Sequence, residues 1–317
     1  MAQASIPEKI PYRARRRTAR DILAEMRREW TAYLFNAPGL VLFAVFTVYA
    51  VSVAFWLSFQ DWDSIKNAGT PVGFDNYRAV LHDTAWWAAM GHTAYFTFGA
   101  MLPAMAIGLG LASLLNTKIR GLGLFRTAFY LPAITPLVIA TLLWKWVYNG
   151  DYGLANYYLL KFHLISQPLQ FLSSEKLAMP AIIVMQIWLN VGFNMVVYLA
   201  GLQSIPAELY EAAEVDGASA WQRLRRITFP LLLPTTIFLL VFQTILGMQT
   251  FDQIFVMTNG GPPGPGGATT TVTYYIWLNA FRYFKMGYAS ALAWTLFAVI
   301  FVVSLTQFRW YLKRVER

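Results

Sequence analysis

Long apolar stretches separated by short polar segments dominate this chain. Six of them are each long enough to cross a hydrocarbon layer of about 30 Å. They lie near residues 33–58, 93–115, 126–148, 178–203, 229–250 and 288–308. Prolines inside these stretches predict kinks, because neighbouring membrane helices can satisfy the freed backbone groups. The pattern predicts an all-α membrane protein with six transmembrane helices.

The composition supports a membrane location and excludes several chemistries. The 317 residues are 57% hydrophobic and 13% charged, whereas soluble domains carry about 25% charged residues. Without cysteine, the chain has no disulfide, thiolate metal site or cysteine nucleophile. The three histidines, His82, His92 and His163, lack metal-ligand spacing. We therefore expect no metal site.

The first apolar stretch is expected to remain in the protein as a helix. Residues 31–60 carry no charge and follow a tail of about thirty residues. A secretory signal peptide has a shorter apolar region of about 7–15 residues. The length of the stretch therefore favours a retained membrane helix over a cleaved leader.

Basic residues are distributed unevenly between alternate connecting segments. If the N-terminus is cytoplasmic, 18 of the 25 Lys and Arg residues lie on the cytoplasmic side, eight of them in the tail 1–31. The positive-inside rule then places both termini in the cytoplasm. The tail could alternatively bind lipid or nucleic acid. The expected organisation is a basic tail (1–31), a six-helix membrane domain (32–309) and a basic end (310–317).

The predicted outer connections are longer than most inner ones. In the outer loop 251–287, the Gly- and Pro-rich residues 260–267 cannot continue a helix. The aromatic segment 273–281 that follows is suited to the membrane interface. These connections either offer a surface to an external partner or merely join the spans.

A charged segment, residues 204–228, separates the fourth and fifth apolar stretches and is expected in the cytoplasm. Pro206 suits the first turn of a helix, and Gly217 can adopt the positive φ that ends one. Ser219 followed by Gln222 is the capping-box pattern for a second helix. Two short helices are therefore expected. An ordinary amphipathic loop and a DNA-binding helix–turn–helix are alternatives, but the position between membrane spans argues against DNA.

This segment resembles the EAA loop of binding-protein-dependent ABC importer permeases. The matching positions are Glu211, Ala212, Ala213, Gly217, Ile227 and Pro230, and Asp216–Gly217–Ala218 matches a common extension. Phe229 stands where Leu is usual. The stretch 257–262, followed by Thr271 and Tyr275, resembles sugar permeases related to the maltose and glycerol-phosphate importers. The resemblance covers about 33–310.

The resemblance implies a mechanism and a set of partners. The loop would insert a short helix into a groove on a separate ATP-hydrolysing subunit and transmit its closure to the membrane helices. The implied coupling residues are Glu211, Ala212, Ala213, Asp216, Gly217, Ala218, Ile227 and Pro230. A second permease chain forming a heterodimer, two ATP-binding subunits and an extracytoplasmic solute-binding protein complete the complex in a bacterial or archaeal plasma (inner) membrane.

The chain has no nucleotide-binding signature of its own. The phosphate-binding pattern G-x-x-x-x-G-K-[ST] is absent from the sequence. ATP and Mg²⁺ are therefore expected on the partner ATPase subunits, and this chain is expected to have no cofactor and no catalytic residues.

Polar side chains inside the predicted spans indicate a possible solute pathway. Gln186, Asn190 and Asn194 follow one another at intervals of four, which places them near one helix face. The full candidate set is Gln186, Asn190, Phe193, Asn194, Gln243, Gly247 and Thr250. Hydroxyl-binding amides beside an aromatic ring suit a carbohydrate. Hydrogen bonding between helices is an equally open interpretation.

The predicted function is a permease subunit of an ATP-driven importer that translocates a carbohydrate or related solute and binds no nucleic acid. The alternative is a stand-alone secondary transporter of a small polar solute, which would need carboxylates within the spans. The predicted spans contain none. A membrane-embedded enzyme would need clustered His or acidic residues, which the scattered histidines argue against.

Overall fold

The computed structural model describes residues 30–65, 67–117, 121–258 and 267–315. The basic tail up to residue 29, residues 259–266 of the Gly- and Pro-rich segment and the last two residues lie outside these ranges. The chain divides into two compact units, residues 1–54 and 55–317.

In the described part of the first unit, the chain is helical throughout. The helix α1 (Trp30–Phe43) runs into a π-helical turn (Ala44–Tyr49) and then α2 (Ala50–Leu57). Most of its apolar side chains are exposed, which is typical of a helix that is hydrophobic on every side and contacts lipid.

The second unit contains the remaining elements. They are β1 (Gln60–Asp63), β2 (Ala68–Pro71), α3 (Asp75–His82), α4 (Thr84–Leu115), α5 (Leu122–Ile134), α6 (Leu137–Val147), α7 (Leu154–Lys161), α8 (Ala178–Gln203), α9 (Ala207–Val215), α10 (Ala220–Arg223), α11 (Phe229–Leu231), α12 (Leu233–Met248), α13 (Asp252–Met257), α14 (Val272–Trp277) and α15 (Met286–Val315). Two π-helical turns, Leu224–Thr228 and Leu278–Arg282, follow α10 and α14.

Four helices in the described ranges are long and apolar enough to cross a membrane: Tyr33–Leu57, Thr84–Leu115, Ala178–Gln203 and Met286–Lys313. Two bent pairs, α5 with α6 and Ala220–Leu231 with α12, raise the number to six if each pair is one span. The protein is therefore a mostly helical, multi-pass membrane protein with four to six spans.

The third predicted span is wrong as one continuous helix. The chain breaks at Thr135–Pro136, and α5 and α6 meet at 95°. Because a helix rises about 1.5 Å per residue, the eleven residues of α6 cover about 16 Å, well short of a membrane. The cause is Pro136, which disfavours helical backbone at Thr135; that residue is extended, with ψ 129°.

Other predicted span boundaries also shift. The second span begins at Thr84 rather than near residue 93, because the Asp83 side chain caps its first turn. The fifth predicted span, 229–250, is divided at Leu232 by a bend of 59° and ends at Met248. The last helix extends beyond 288–308 at both ends, to Met286–Val315.

The expectation of an all-α fold is wrong in the connection between α2 and α3, which contains an antiparallel hairpin of β1 and β2. Gln60 pairs with Pro71 and Asp63 with Ala68. The turn is stabilised locally, because the Ile65 amide donates to Asp63 Oδ1 at 2.8 Å and Asn67 adopts a positive φ of 49°. Asp and Asn are the residues that favour such turns.

The core of the second unit is the packing of α4 against α8. Buried side chains from both helices form two apolar clusters, with Phe96 against Ile182 in one and Met101 against Met195 in the other. Gly108 allows the closest approach, since an added Cβ there would lie 2.5 Å from Asn194 Cβ. The packing places the polar face of α8 toward α12.

The N-terminal end of α4 is joined to two later segments by one carboxylate. Asp83 Oδ1 accepts the Ala85 and Trp86 amides, and Oδ2 accepts hydroxyl hydrogens from Tyr275 at 2.7 Å and Tyr288 at 2.6 Å. Burial acts to raise the pKa of Asp83, but these hydrogen bonds outweigh it and hold the pKa below its ordinary value. We call this arrangement the Asp83 clamp.

The clamp also changes the interpretation of the aromatic segment 273–281. Burial and the bond to Asp83 raise the pKa of Tyr275 to about 12, so its hydroxyl remains a donor at neutral pH. Tyr274 is fully buried, and the amide of Val272 donates to Thr93 Oγ1 at 2.9 Å. The beginning of the segment is therefore packed into the bundle, whereas Phe281 near its end is exposed.

Candidate functional site

A cavity of about 330 Å³ lies between α4, α5, α8 and α12. Five of the seven predicted pathway residues line it: Gln186, Asn190, Phe193, Gln243 and Gly247. The volume falls in the range of small-molecule sites, about 300–1,000 Å³. The sequence-derived spacing therefore identified side chains that the fold brings to one enclosed space.

The amides of this cavity form a continuous hydrogen-bonded series, which we call the amide chain. Gln253 Nε2 donates to Gln186 Oε1 at 3.1 Å, and Gln186 Nε2 donates to Asn190 Oδ1 at 3.0 Å. Asn190 Nδ2 then donates to Gln243 Oε1 at 3.3 Å, and Gln243 Nε2 donates to Asn194 Oδ1 at 2.6 Å. Gln186, Asn190 and Gln243 each donate and accept one bond, so the chain runs in one direction across three helices.

Two predicted pathway residues do not line the cavity. Asn194 is fully buried behind it and ends the amide chain. Thr250 is buried beyond the end of α12, where its carbonyl accepts the Thr271 hydroxyl at 3.1 Å. Because α12 ends at Met248, the helical spacing that relates Thr250 to Gln243 no longer applies.

Sequence reasoning missed Gln253, which both lines the cavity and begins the amide chain. It lies in α13 and is 5% exposed, although the prediction placed it in an outer loop. Gln253 lies ten residues after Gln243, but the chain leaves α12 after Met248, so helical spacing from Gln243 could not place it. Its position depends on how α13 packs against the bundle.

Aromatic rings form part of the cavity wall. Phe193 and Phe242 line it with their ring centroids 5.6 Å apart, and Phe96 and Tyr130 contribute from α4 and α5. Aromatic faces provide flat apolar surface beside the amides. The cavity can therefore offer stacking and hydrogen bonding to the same solute.

The segment between α8 and α12 contains α9 and α10, joined at Gly217. Gly217 has φ +73°; its amide donates to Glu214 O at 3.1 Å, and the Ala218 amide donates to Ala213 O at 2.8 Å. These two bonds form a Schellman motif, which favours glycine at this position. Ala207 is the first helical residue, and Pro206 immediately precedes it.

The second helix of this segment begins with the capping box at Ser219. The Gln222 amide donates to Ser219 Oγ at 3.3 Å, and the Ser219 amide donates to Gln222 Oε1 at 2.7 Å. Arg223 pairs with Glu214 across the turn at 3.4 Å. Local capping therefore fixes the shape of the segment, and the ion pair adds little because Glu214 is largely exposed.

One side of the segment is attached to the bundle and the other is exposed. Tyr210 and Ile227 pack against the apolar cluster that contains Leu202 and Leu232, and the Tyr210 hydroxyl lies 3.0 Å from Thr228 Oγ1. Of the predicted coupling residues, Glu211, Ala212, Asp216, Gly217 and Pro230 are exposed, and Ala213, Ala218 and Ile227 are half-buried.

An apolar residue outside the motif stands out on the exposed side. Val215 is 88% exposed, beside Glu211 and Asp216. A single exposed apolar residue is common on protein surfaces, so Val215 marks only the face of α9 that points away from the bundle. Its exposure could not be read from the sequence, since it depends on which face of α9 packs on the bundle.

The fold and the site together define a class: a multi-pass membrane protein with an uncharged internal cavity beside an exposed helical loop, which suits a solute-conducting subunit. The model of the family described as "Binding-protein-dependent transport system inner membrane component" matches residues 86–317. The chain belongs to this family and is a permease subunit of an ABC transport system. This confirms the family resemblance noted in the sequence and excludes a stand-alone secondary transporter.

Relatives and solved structures agree with this assignment. The chain is 36% identical over 281 residues to the sulfoquinovosyl glycerol transport system permease protein of Agrobacterium fabrum, covering 88% of this chain and 89% of the relative. It is 35% identical over 275 residues to the trehalose/maltose transport system permease protein of Thermococcus litoralis, covering 86% and 90%. A chain from a bacterial ABC transporter involved in alginate import shares the fold, with a TM-score of 0.75 at 24% identity over 93% of this chain and 99% of that one.

Proposed function

We propose that this permease subunit translocates a carbohydrate or a closely related polyhydroxyl solute. The observation that carries the proposal is the amide chain in a cavity walled by aromatic rings. A hydroxyl group both donates and accepts hydrogen bonds, and side-chain amides offer both functions. The relatives named for sugar-containing solutes support the same class of cargo.

The proposed pathway residues are Gln186, Asn190, Phe193, Gln243, Gly247 and Gln253, with Asn194 as the buried end of the amide chain. Solute hydroxyls would replace bonds between neighbouring amides, such as the 3.3 Å bond from Asn190 to Gln243. Because that bond is among the longer ones in the chain, it is the first that a solute would open. Thr250 is not part of this proposal.

The segment 204–228 is proposed as the coupling element. Glu211, Ala212, Ala213, Asp216, Gly217 and Ala218 would meet a separate ATP-binding subunit, while Ile227 and Pro230 join the segment to α12. Two features support this: α9 presents Val215 to the outside, and Tyr210 connects α9 to the bundle. Since α8 and α12 flank the segment and carry most of the amide chain, motion of α9 would reach the cavity directly.

The proposed assembly places this chain in a bacterial or archaeal inner membrane with both termini in the cytoplasm and six spans. A second, different permease chain, two ATP-binding subunits that hold ATP and Mg²⁺, and an external solute-binding protein complete it. The family description, which names binding-protein dependence and the inner membrane, supports this arrangement.

The test is solute-stimulated ATP hydrolysis by the complete complex in liposomes, screened over neutral sugars, polyols and their phosphates with the cognate binding protein. We expect stimulation by at least one sugar-like solute, accompanied by its uptake. Stimulation only by amino acids, peptides or inorganic ions would contradict the proposed cargo.

A further inference from the structure

The cavity differs from an anion site in one respect: its walls are uncharged. Among the described residues that line it, none is Lys, Arg, His, Asp or Glu. The polar groups are amides and hydroxyls, including Gln186, Asn190, Gln243 and Gln253. The surroundings of any bound solute are therefore neutral on this chain's side.

A phosphate, sulfonate or carboxylate needs more than neutral donors in such a place. Burying an unpaired charge is costly, and anion sites are normally built from Arg, Lys or a helix N-terminus. Here one amide hydrogen of Asn190 and one of Gln243 already go to other amides, and the remaining donors of the lining residues are neutral. An anionic group could receive hydrogen bonds from them but would gain no ion pair.

A neutral hydroxyl meets no such penalty. When it inserts between Asn190 Nδ2 and Gln243 Oε1, it can accept from the first and donate to the second. The number of hydrogen bonds is then preserved, which is the condition for binding a polar group at low cost in a buried site. The amide chain is thus matched to a group that is donor and acceptor at once.

From these observations we infer that this chain's part of the pathway selects uncharged polyhydroxyl solutes over anionic ones, with Gln243 as the specificity-determining residue. Gln243 is 5% exposed and is the only member of the amide chain contributed by α12. It accepts from Asn190 and donates to Asn194, so it connects the cavity wall to the buried end of the chain. The inference rests on the proposed transport of a sugar-like solute and narrows its chemical class.

The experiment measures solute binding to the complete transporter complex in detergent, without binding protein and without ATP, by the shift of its thermal unfolding midpoint. The probes are neutral mono- to pentasaccharides and anionic derivatives of similar shape. One such set is glucose, glucose 6-phosphate and glucuronate. We expect at least one neutral sugar to raise the midpoint. The apparent affinity for its anionic partner should be weaker by about tenfold or more.

Two variants with a matched control locate the effect. Gln243→Leu should remove the response to neutral sugars, whereas Gln249→Leu should keep it, because Gln249 is exposed one residue beyond α12 and does not line the cavity. If Gln243→Leu does not assemble, Gln186→Leu tests the same chain from a half-buried position. In the opposite direction, Gln186→Arg should create a response to the anionic partner.

The inference is overturned if anionic solutes bind as well as their neutral partners, if no neutral sugar shifts the midpoint, or if Gln243→Leu and Gln186→Leu both bind like the parent. These outcomes are separable from a failure of the transport proposal, because binding is measured without ATP hydrolysis. A complex that binds neutral sugars but is not stimulated by them would contradict the proposed transport and leave the selectivity standing.

Discussion

The cavity and the coupling segment are built on opposite principles. In the cavity, Gln243 and Gln253 are almost completely buried, and the amides bond to one another. In the segment 204–228, here called the coupling segment, Glu211 and Val215 are exposed, and local caps at Gly217 and Ser219 give the shape. A buried, mutually bonded array suits a small solute that replaces one bond at a time, whereas an exposed, locally capped helix suits a whole protein surface.

The largest effect is expected from changes in the exposed coupling segment. Replacing Glu211 by Ala together with Gly217 by Val should abolish solute-stimulated ATP hydrolysis and lower uptake at least about tenfold. The first change removes a charge from the proposed interface, and the second forces a β-branched residue into φ +73°, which L-residues avoid. Both rates are measured in proteoliposomes.

The control for this pair is Glu208→Gln, an exposed acid one turn earlier on the same helix and outside the motif. It should retain both activities. If the double variant kept full uptake and full stimulation while Glu208→Gln did the same, α9 would be an ordinary loop, and the comparison between the two regions would lose its functional meaning.

The second prediction concerns the buried region. Asn190→Leu removes the acceptor of Gln186 and the donor to Gln243. Leaving buried partners unsatisfied costs about 1–3 kcal/mol, and the solute loses hydrogen-bonding groups in the cavity. Solute uptake and solute-stimulated ATP hydrolysis should therefore fall about tenfold or more. Basal ATP hydrolysis should change little, because the coupling segment is untouched. Equal loss of basal and stimulated rates would instead indicate a purely structural role for the amide chain.

The third prediction tests the packing that holds the amide chain in place. Gly108→Ala should lower the free energy of unfolding by about 1–3 kcal/mol, since its Cβ would lie 2.5 Å from Asn194 Cβ. Gly110→Ala, two residues away with nothing within 4 Å of the added Cβ, is the matched control and should be neutral or slightly stabilising. The thermal midpoint of the purified complex checks both. Equal midpoints would mean that α4 and α8 can move apart easily enough to accept the added methyl group.

How far the sequence predicts these two regions follows from what determines each. The coupling segment was predictable to the residue at Ser219 and Gln222, because capping depends on neighbours three residues apart. The cavity was predictable only as a set of helix faces. Gln253 and Thr250 were misplaced because the end of α12 depends on contacts with a segment twenty residues later, such as Thr271 to Thr250.

The hairpin and the broken third span show the same division. Asp63 and Asn67 signal a turn locally, yet neither strand has the alternating apolar pattern that normally predicts one. Pro136 marks a break after α5, but the 95° angle between α5 and α6 depends on packing with the rest of the bundle. Local sequence therefore predicts where the chain turns, whereas the angle of the turn depends on packing in the assembled fold.

The Asp83 clamp extends the comparison to a third kind of polar site. Like the amide chain it is buried in part and bonded to several partners, because the carboxylate accepts from Tyr275, Tyr288 and two backbone amides. Unlike the amides it can titrate. The amide chain should therefore hold its geometry at any pH the protein survives, whereas the clamp should weaken in acid.

The smallest effect is accordingly expected from Asp83→Asn, and it should depend on pH. Because the folded pKa of Asp83 lies below its ordinary value of 3.8, the stabilisation is present above that value and is lost as the pH falls through the lower, folded pKa. At pH 6–8, Asp83→Asn should thus lower the free energy of unfolding by about 1–2 kcal/mol, because the hydrogen bonds are weakened. Its thermal unfolding midpoint should lie below that of the parent. The two midpoints should converge in strong acid. The control is Asp75→Asn, at an exposed acid in α3, which should unfold close to the parent at pH 6–8. A difference that stays constant with pH would show that the effect comes from lost packing and not from the charge of the Asp83 carboxylate.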